Sequence, residues 1–434
     1  MTILRIGKKN TFQISMEEDE VNTEVVTTEP PEELQENEDE VVEVTNELDQ
    51  STSDFDSGLD EMEDLDVVKD QAVKAVEEGD GFTEREAEMA EVTLESIYER
   101  LRYKKPSRRP SLEDYGSKNT RLETTKKLVV SLEADVKSLW EKFKAFCAKI
   151  WDMIVDSIKS IFSSSEKTYK WADELLKAAN ALKGKTSDTK TINNEVIARA
   201  FSSDNVTPTG NDVIRLLTSQ QEITSKIFPE LNQCLVESNK LYQDYTVNED
   251  KLSPEALNEK ITAVFNNCVD KIPSIQRDKE KGTFKAGPFI NNKCIVFGTS
   301  VKGKLSISWD NFFDTRDKNP DKEIPVIQPD QAVTICMDVK KLIEINKKAK
   351  EEMDAFKKTL DESVAVMKRI VDSDTSKNTS LKTAQANITG TINAIYKINY
   401  GLPTLNLLAS NKALTYVKAS LDVFKSTKEE KKEV

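Results

Sequence analysis

The charge of the chain is divided unevenly along its length, and this division limits where a folded core can form. Residues 16–95 carry 31 acidic against 3 basic residues, a net charge of −28. The same stretch is rich in Glu, Asp, Thr and Val and has few large apolar residues. Such a segment cannot bury enough apolar surface to offset the entropy lost on ordering, so its composition predicts disorder.

Residues 134–434 have the opposite balance, with 41 acidic against 46 basic residues and a net charge of +5. Their patterns predict helices, except near 282–313, where alternating and apolar runs predict strands. The predicted fold class is mainly α, with a helical body, a small antiparallel β insert and a disordered acidic N-terminal region. The predicted divisions are 1–133 (acidic, largely disordered), 134–281 (helical), 282–330 (β-rich insert) and 331–434 (helical).

The strongest periodic signal lies in residues 134–162, where apolar residues recur at helical spacing and predict one amphipathic helix, ended by the serines at 163–165. Three interpretations of its apolar face stay open: a core helix of a bundle, a helix that docks on a partner protein, and a membrane-surface helix. Its five lysines and four acids are too balanced for a typical interfacial helix. The residues proposed for packing or docking are Trp140, Phe143, Phe146, Ile150, Trp151 and Ile154.

Several classes of chemistry find no support in the sequence. The chain has no histidine, which excludes Ser-His-Asp and Cys-His machinery and the usual zinc sites. Its five cysteines are widely spaced and form no CxxC pair, so we expect free thiols. No apolar run reaches about 18 residues, so no membrane-spanning helix is expected. We therefore predict no enzymatic activity, no catalytic or metal site and no cofactor.

The dipeptide Leu-Glu occurs four times in the chain, and all four copies lie within residues 94–133. This cluster separates the acidic part from the mildly basic part. Ordinary helix composition would explain one or two copies, whereas small flanking residues suit the pocket of a protease. The pattern favours a precursor with an acidic propeptide. With their neighbours, the copies read Thr93-Leu94-Glu95, Ser111-Leu112-Glu113-Asp114, Arg121-Leu122-Glu123 and Ser131-Leu132-Glu133-Ala134.

The segment that begins SLEDYGSKNTRLETTKK and ends with the aromatic helix resembles the propeptide junction of internal head proteins of large contractile-tailed phages. In that family a prohead protease cuts after Glu in a motif of a small or aliphatic residue, any residue, and Glu. The resemblance covers about residues 93–163. It implies best cleavage sites after Glu133 and after Glu113. The Thr93 motif is weaker, and the Arg121 motif departs most because Arg is neither small nor aliphatic.

The resemblance implies a structural internal virion protein, assembled in the prohead and processed by the prohead protease. Its expected partners are that protease, capsid or scaffold proteins and, through weak non-specific contact, packaged DNA; stable membrane insertion is not expected. The protein is expected in the host cytoplasm before assembly and in the capsid interior afterwards. The alternative is a non-enzymatic cytosolic helical adaptor with an acidic disordered tail, which would stay full length.

Overall fold

The computed structural model describes residues 47, 50, 61, 64–100, 112–202, 206–247, 253–278, 282–299, 305–313, 322–372 and 379–429. Long helices make up most of the described chain, and short strands lie between them. The helices are α1 (64–77), α2 (Glu84–Arg100), α3 (Lys118–Ala181), α4 (Glu195–Phe201), α5 (Gly210–Val247), α6 (Pro254–Val269), α7 (Pro329–Asp372) and α8 (Thr379–Glu429). The strands are β1 (Thr191–Asn193), β2 (Ile275–Asp278), β3 (Thr283–Phe289), β4 (Lys293–Thr299), β5 (Leu305–Asn311) and β6 (Glu323–Pro325).

A four-stranded antiparallel sheet is formed by β2, β3, β4 and β5 in that order. Its register pairs Phe284 with Phe297 and Ile295 with Trp309. Strands β1 and β6 form a separate two-stranded antiparallel pair. The mainly α fold with a small antiparallel β component is therefore confirmed. The buried face of the larger sheet belongs to the same hydrophobic core as the helices, because Phe284, Phe297 and Ile307 join that core.

Helix α8 lies at the centre of the body and packs against α3, α5, α6 and α7 and against strand β5. From residue 391 to residue 424 nearly every described side chain of α8 is buried or half-buried. Because this helix is covered all round, the polar side chains that it carries need partners inside the protein. Asn406 shows how this is done, since its amide donates to Thr224 and to Asn346, over 3.0 and 2.8 Å.

Helix α3 is longer than the sequence pattern predicts, because the serines at 163–165 do not end it. Ser164 and Ser165 are buried, and the backbone carbonyl of Ser164 accepts a hydrogen bond from Thr168. Thr168 also donates to Asn411 of α8, so this stretch of helix is packed against the central helix. Helix propensity is a weak preference that such tertiary packing overrides, and the predicted break was wrong.

A smaller hydrophobic core, separate from that of the body, joins α1, α2, the 3₁₀ turn Leu112–Tyr115 and the first turns of α3. We call residues 64–100 and 112–135 the N-terminal cluster. The sequence predicts a largely disordered region over residues 1–133, and the structure differs from this prediction over the cluster. α1, α2 and the first turns of α3 each contribute only a few apolar residues, and together these residues form one core. Most residues before 64 lie outside the described part, so disorder there stays a prediction.

Gly401 of α8 allows close packing of the sheet on the central helix. A Cβ atom at this position would lie 2.7 Å from the indole ring of Trp309 on β5. Glycine inside a helix normally costs stability relative to alanine. Here we expect the opposite sign, with Gly401→Ala lowering the free energy of unfolding by about 1–3 kcal/mol through overpacking. Chemical denaturation would measure the change, and a more stable variant would contradict this account.

Candidate processing site

The Leu-Glu motifs lie in the N-terminal cluster, and their leucines help to build its core. Leu94 in α2 is 1% exposed and Leu132 in α3 is 0% exposed. Leu112 packs against the same core and is half-buried, as is Leu122. Three of the four leucines (Leu94, Leu112 and Leu132) therefore have a structural role, as the interpretation of ordinary helix composition predicts. This role does not by itself exclude cleavage after the glutamates.

The four motifs differ in the local structure that surrounds the Glu. The motifs at Glu95, Glu123 and Glu133 lie inside α-helices, whereas Glu113 lies in the short 3₁₀ turn between α2 and α3. Glu133 and Ala134 are exposed, and Ser131 is half-buried. Ser111 lies outside the described residues, and Glu113 and Asp114 are described only in their backbone.

Local hydrogen bonds fix the N-terminal ends of α2 and α3, the helices before and after the 3₁₀ turn. At the start of α2, the backbone N–H and the hydroxyl of Thr83 donate to Glu86, each over 2.8 Å. These hydrogen bonds, led by the one from the backbone, lower the pKa of the Glu86 carboxyl. At the start of α3, Ser117 and Thr120 form a reciprocal capping box. Both arrangements satisfy backbone groups that a helix start leaves unpaired.

The helical cap, residues 64–100, is attached to α3 at two points. Near its middle, the backbone of Gly81 approaches the backbone of Arg121 so closely that an added Cβ would lie 2.7 Å away. Beside this contact, the buried N–H of Phe82 donates to the hydroxyl of Thr125 over 2.9 Å. At its end, the hydroxyl of Tyr98 donates to the buried carboxylate of Asp135 over 2.5 Å.

These attachments join residues 37 to 43 positions apart, and we did not predict them from the sequence. Two local signals point to part of the arrangement. Gly79 and Gly81 both adopt positive φ angles in the turn before α2, and Thr83 with Glu86 has the spacing of a capping box. The cap itself is acidic, with 12 acidic against 4 basic residues in 64–100.

For the aromatic helix proposed for packing or docking, the structure describes the side chains of two of the six proposed residues. Trp151 and Ile154 are buried in the core of the body, and the Trp151 ring lies 6.0 Å from that of Phe356 on α7. These contacts favour the core-helix interpretation for this half of the segment. The side chains of the other four proposed residues lie outside the described part: Trp140, Phe143, Phe146 and Ile150.

The described part of the chain shows few of the features that would indicate other kinds of site. Among the described residues, no group of three or more His, Cys, Asp or Glu side chains is placed to hold a metal ion. Cys234, Cys268, Cys294 and Cys336 are buried free thiols. Burial raises the pKa of Cys336 to about 12 and that of Cys294 to about 11. None of the described helices combines the length and the apolar character needed to cross a membrane.

Comparison with known proteins gives a family for almost the whole chain. No curated protein and no solved structure matches it. Residues 16–424 match the family model of phiKZ-like phage internal head proteins. This match confirms the resemblance to phage internal head proteins and extends it from residues 93–163 through both cores. The chain therefore belongs to the phiKZ-like phage internal head proteins, which are virion proteins of the capsid interior.

Proposed function

We propose that the chain is a structural precursor that assembles in the prohead and is trimmed there by the prohead protease. The observation that carries this proposal is the position of Glu113. It is the Glu of a matching motif, and it lies in a 3₁₀ turn rather than inside an α-helix. A protease binds several consecutive residues in an extended form, so a turn requires less local unfolding than a helix interior.

The consequence of a cut at Glu113 is a separation of charge. Residues 114–434 contain 44 acidic against 50 basic residues, a net charge of +6, and the whole chain carries −15. Residues 1–113 therefore carry −21. An acidic segment of this size keeps the precursor soluble and repels nucleic acid. Its removal leaves a body that can share a capsid with densely packed DNA.

We expect mature particles to contain peptides from residues 114–434 and few from residues 16–110. Mass spectrometry of purified particles, with labelling of free N-termini, measures this directly. Asp114 or Ala134 should be the first residue of the mature chain. Abundant peptides from 16–110 would contradict the proposal and would fit the alternative of an adaptor that stays full length.

Glu113→Ala should abolish the Asp114 N-terminus, because the motif requires Glu at the position of the cut. The matched control is Glu123→Ala, which removes a Glu from the motif that fits least, with Arg121 at its first position. The control should be processed like the wild type. An unchanged Asp114 N-terminus in the Glu113 variant would place the cut elsewhere.

The proposed contact with DNA should be weak and should depend on trimming. Non-specific affinity for duplex DNA depends on the number of phosphates neutralised and falls steeply with salt. We expect salt-sensitive binding of residues 114–434 and none by the full-length chain. Both are compared on one duplex at about 50 mM and at about 150 mM salt, and at the higher concentration the Debye length is about 8 Å. Equal binding by both chains would show that the acidic segment does not control contact with DNA.

A further inference from the structure

We infer that the helical cap protects the Glu133–Ala134 bond, so that cleavage after Glu133 has to follow cleavage after Glu113. The inference rests on the proposed function, because it sets the order of two cuts by the same protease.

The Glu133–Ala134 bond lies between two buried anchors. Leu132, directly before Glu133, is fully buried in the core of the N-terminal cluster. Asp135, directly after Ala134, is buried and accepts the hydrogen bond from Tyr98 of the cap. To enter a protease in an extended form, this stretch of α3 would have to unwind and withdraw both anchors. Exposure of Glu133 itself is therefore not enough to permit cleavage.

The attachment around Gly81 extends the protection towards the start of α3. There the cap backbone lies against Arg121, and Phe82 donates to Thr125. With the Tyr98 contact, the cap holds α3 over residues 121–135. These contacts and the shared core fix the helix that contains the second bond. An isolated helix end of this length would be only marginally stable without such packing.

Hydrolysis after Glu113 releases this protection. Water adds across the Glu113–Asp114 peptide bond and leaves a carboxylate on Glu113 and an amino group on Asp114. The cap is then a separate chain, and it loses the high effective concentration that the covalent link provided. When it dissociates, Tyr115, Leu128 and Leu132 lose the apolar partners that buried them. The start of α3 can then unwind, and the same hydrolysis can occur between Glu133 and Ala134.

The closest backbone contact of the cap provides a test with a matched control. Gly81 and Gly79 both have positive φ angles, 66° and 83°, so alanine introduces backbone strain at either position. A Cβ at Gly81 would meet the backbone of Arg121 and Leu122 at 2.7 Å, whereas a Cβ at Gly79 meets nothing within 4 Å. Gly81→Ala should therefore separate the cap from α3, and Gly79→Ala should leave it in place.

The assay digests the purified full-length chain with a glutamyl endopeptidase and quantifies new N-termini by mass spectrometry. In the wild type, Asp114 termini should appear first and Ala134 termini only after a lag. Gly81→Ala should raise the initial rate of Ala134 formation by about tenfold, the effect of a modest loss of packing energy. Gly79→Ala should retain the lag. No lag in the wild type, or equal rates in the two glycine variants, would overturn the inference.

Cleavage after Glu174 is the internal control, because this exposed residue lies on the same helix but within the body. Its rate should be equal in all variants, and a parallel rise at Glu174 would show general unfolding and reject a specific role of the cap. Tyr98→Phe is a milder second variant that removes the hydroxyl group that donates to Asp135. It should raise Ala134 formation by about threefold to tenfold. Since the assay needs no particles, its result is independent of whether mature particles contain a trimmed chain.

Discussion

Replacing Trp151 by alanine should lower the free energy of unfolding of the body by about 3–5 kcal/mol, the range for removing a large aromatic side chain from a core. Trp151 is 5% exposed, packs near Phe356 and has the ammonium group of Lys357 5.9 Å from its ring. Chemical denaturation followed by far-ultraviolet circular dichroism measures the change. Such a loss would show that this part of α3 is a core helix.

Met337→Ala is the control for this substitution, because Met337 on α7 is 59% exposed. It should change the free energy of unfolding by no more than about 0.5 kcal/mol, as surface substitutions usually do. If Trp151→Ala kept the stability of the wild type but lost assembly into particles, the interpretation as a docking helix would be the correct one. A variant with unchanged stability and assembly would contradict both interpretations.

Replacing Phe265 by alanine should also cost about 3–5 kcal/mol, and it tests whether the sheet is an independent unit. Phe265 of α6 is buried, and its ring lies 6.5 Å from that of Phe297 on β4. Because sheet and helices share one core, we expect amide protons of β4 and α8 to lose protection against hydrogen exchange together. Such a cooperative loss would show that the predicted insert at 282–330 unfolds as one unit with the helical regions on either side.

A loss of protection in the sheet alone, with wild-type exchange rates in the helices, would contradict a shared core. Phe312→Ala gives a comparison within the same β-rich region, since Phe312 follows β5 and is only half-buried. It should cost clearly less than the Phe265 change, because a partly solvated ring leaves a smaller cavity.

Local patterns predicted the fold class because they act over short distances. The helical periodicity around Trp151 and the alternation near Phe297 are properties of consecutive residues, and both elements are present. The full length of α3 was not predicted, because Ser164 and Ser165 are buried by tertiary packing and Thr168, one turn later, donates to Asn411 of α8. The N-terminal cluster was not predicted for a similar reason: its core is shared between α1, α2 and the first turns of α3, and each of these segments contributes only a few apolar side chains.

The candidate site was predictable in its motifs but not in their surroundings. The spacing of Leu and Glu with small neighbours is visible in the sequence, as is the change of charge on either side. The contacts of Gly81 and Tyr98 with α3 join distant residues, and no local pattern marks both partners. The difference between a Glu in a turn and a Glu in a protected helix therefore became visible only in the structure.

The continuity of helix α3 also sets a distance between the two cores. Leu132 belongs to the core of the N-terminal cluster and Trp151 to that of the body, and one uninterrupted helix connects them. At about 1.5 Å per residue, the helix separates these two side chains by about 29 Å. This is more than three Debye lengths at physiological salt, where one length is about 8 Å. The helix thus acts as a spacer that keeps the core of the N-terminal cluster apart from the core of the body.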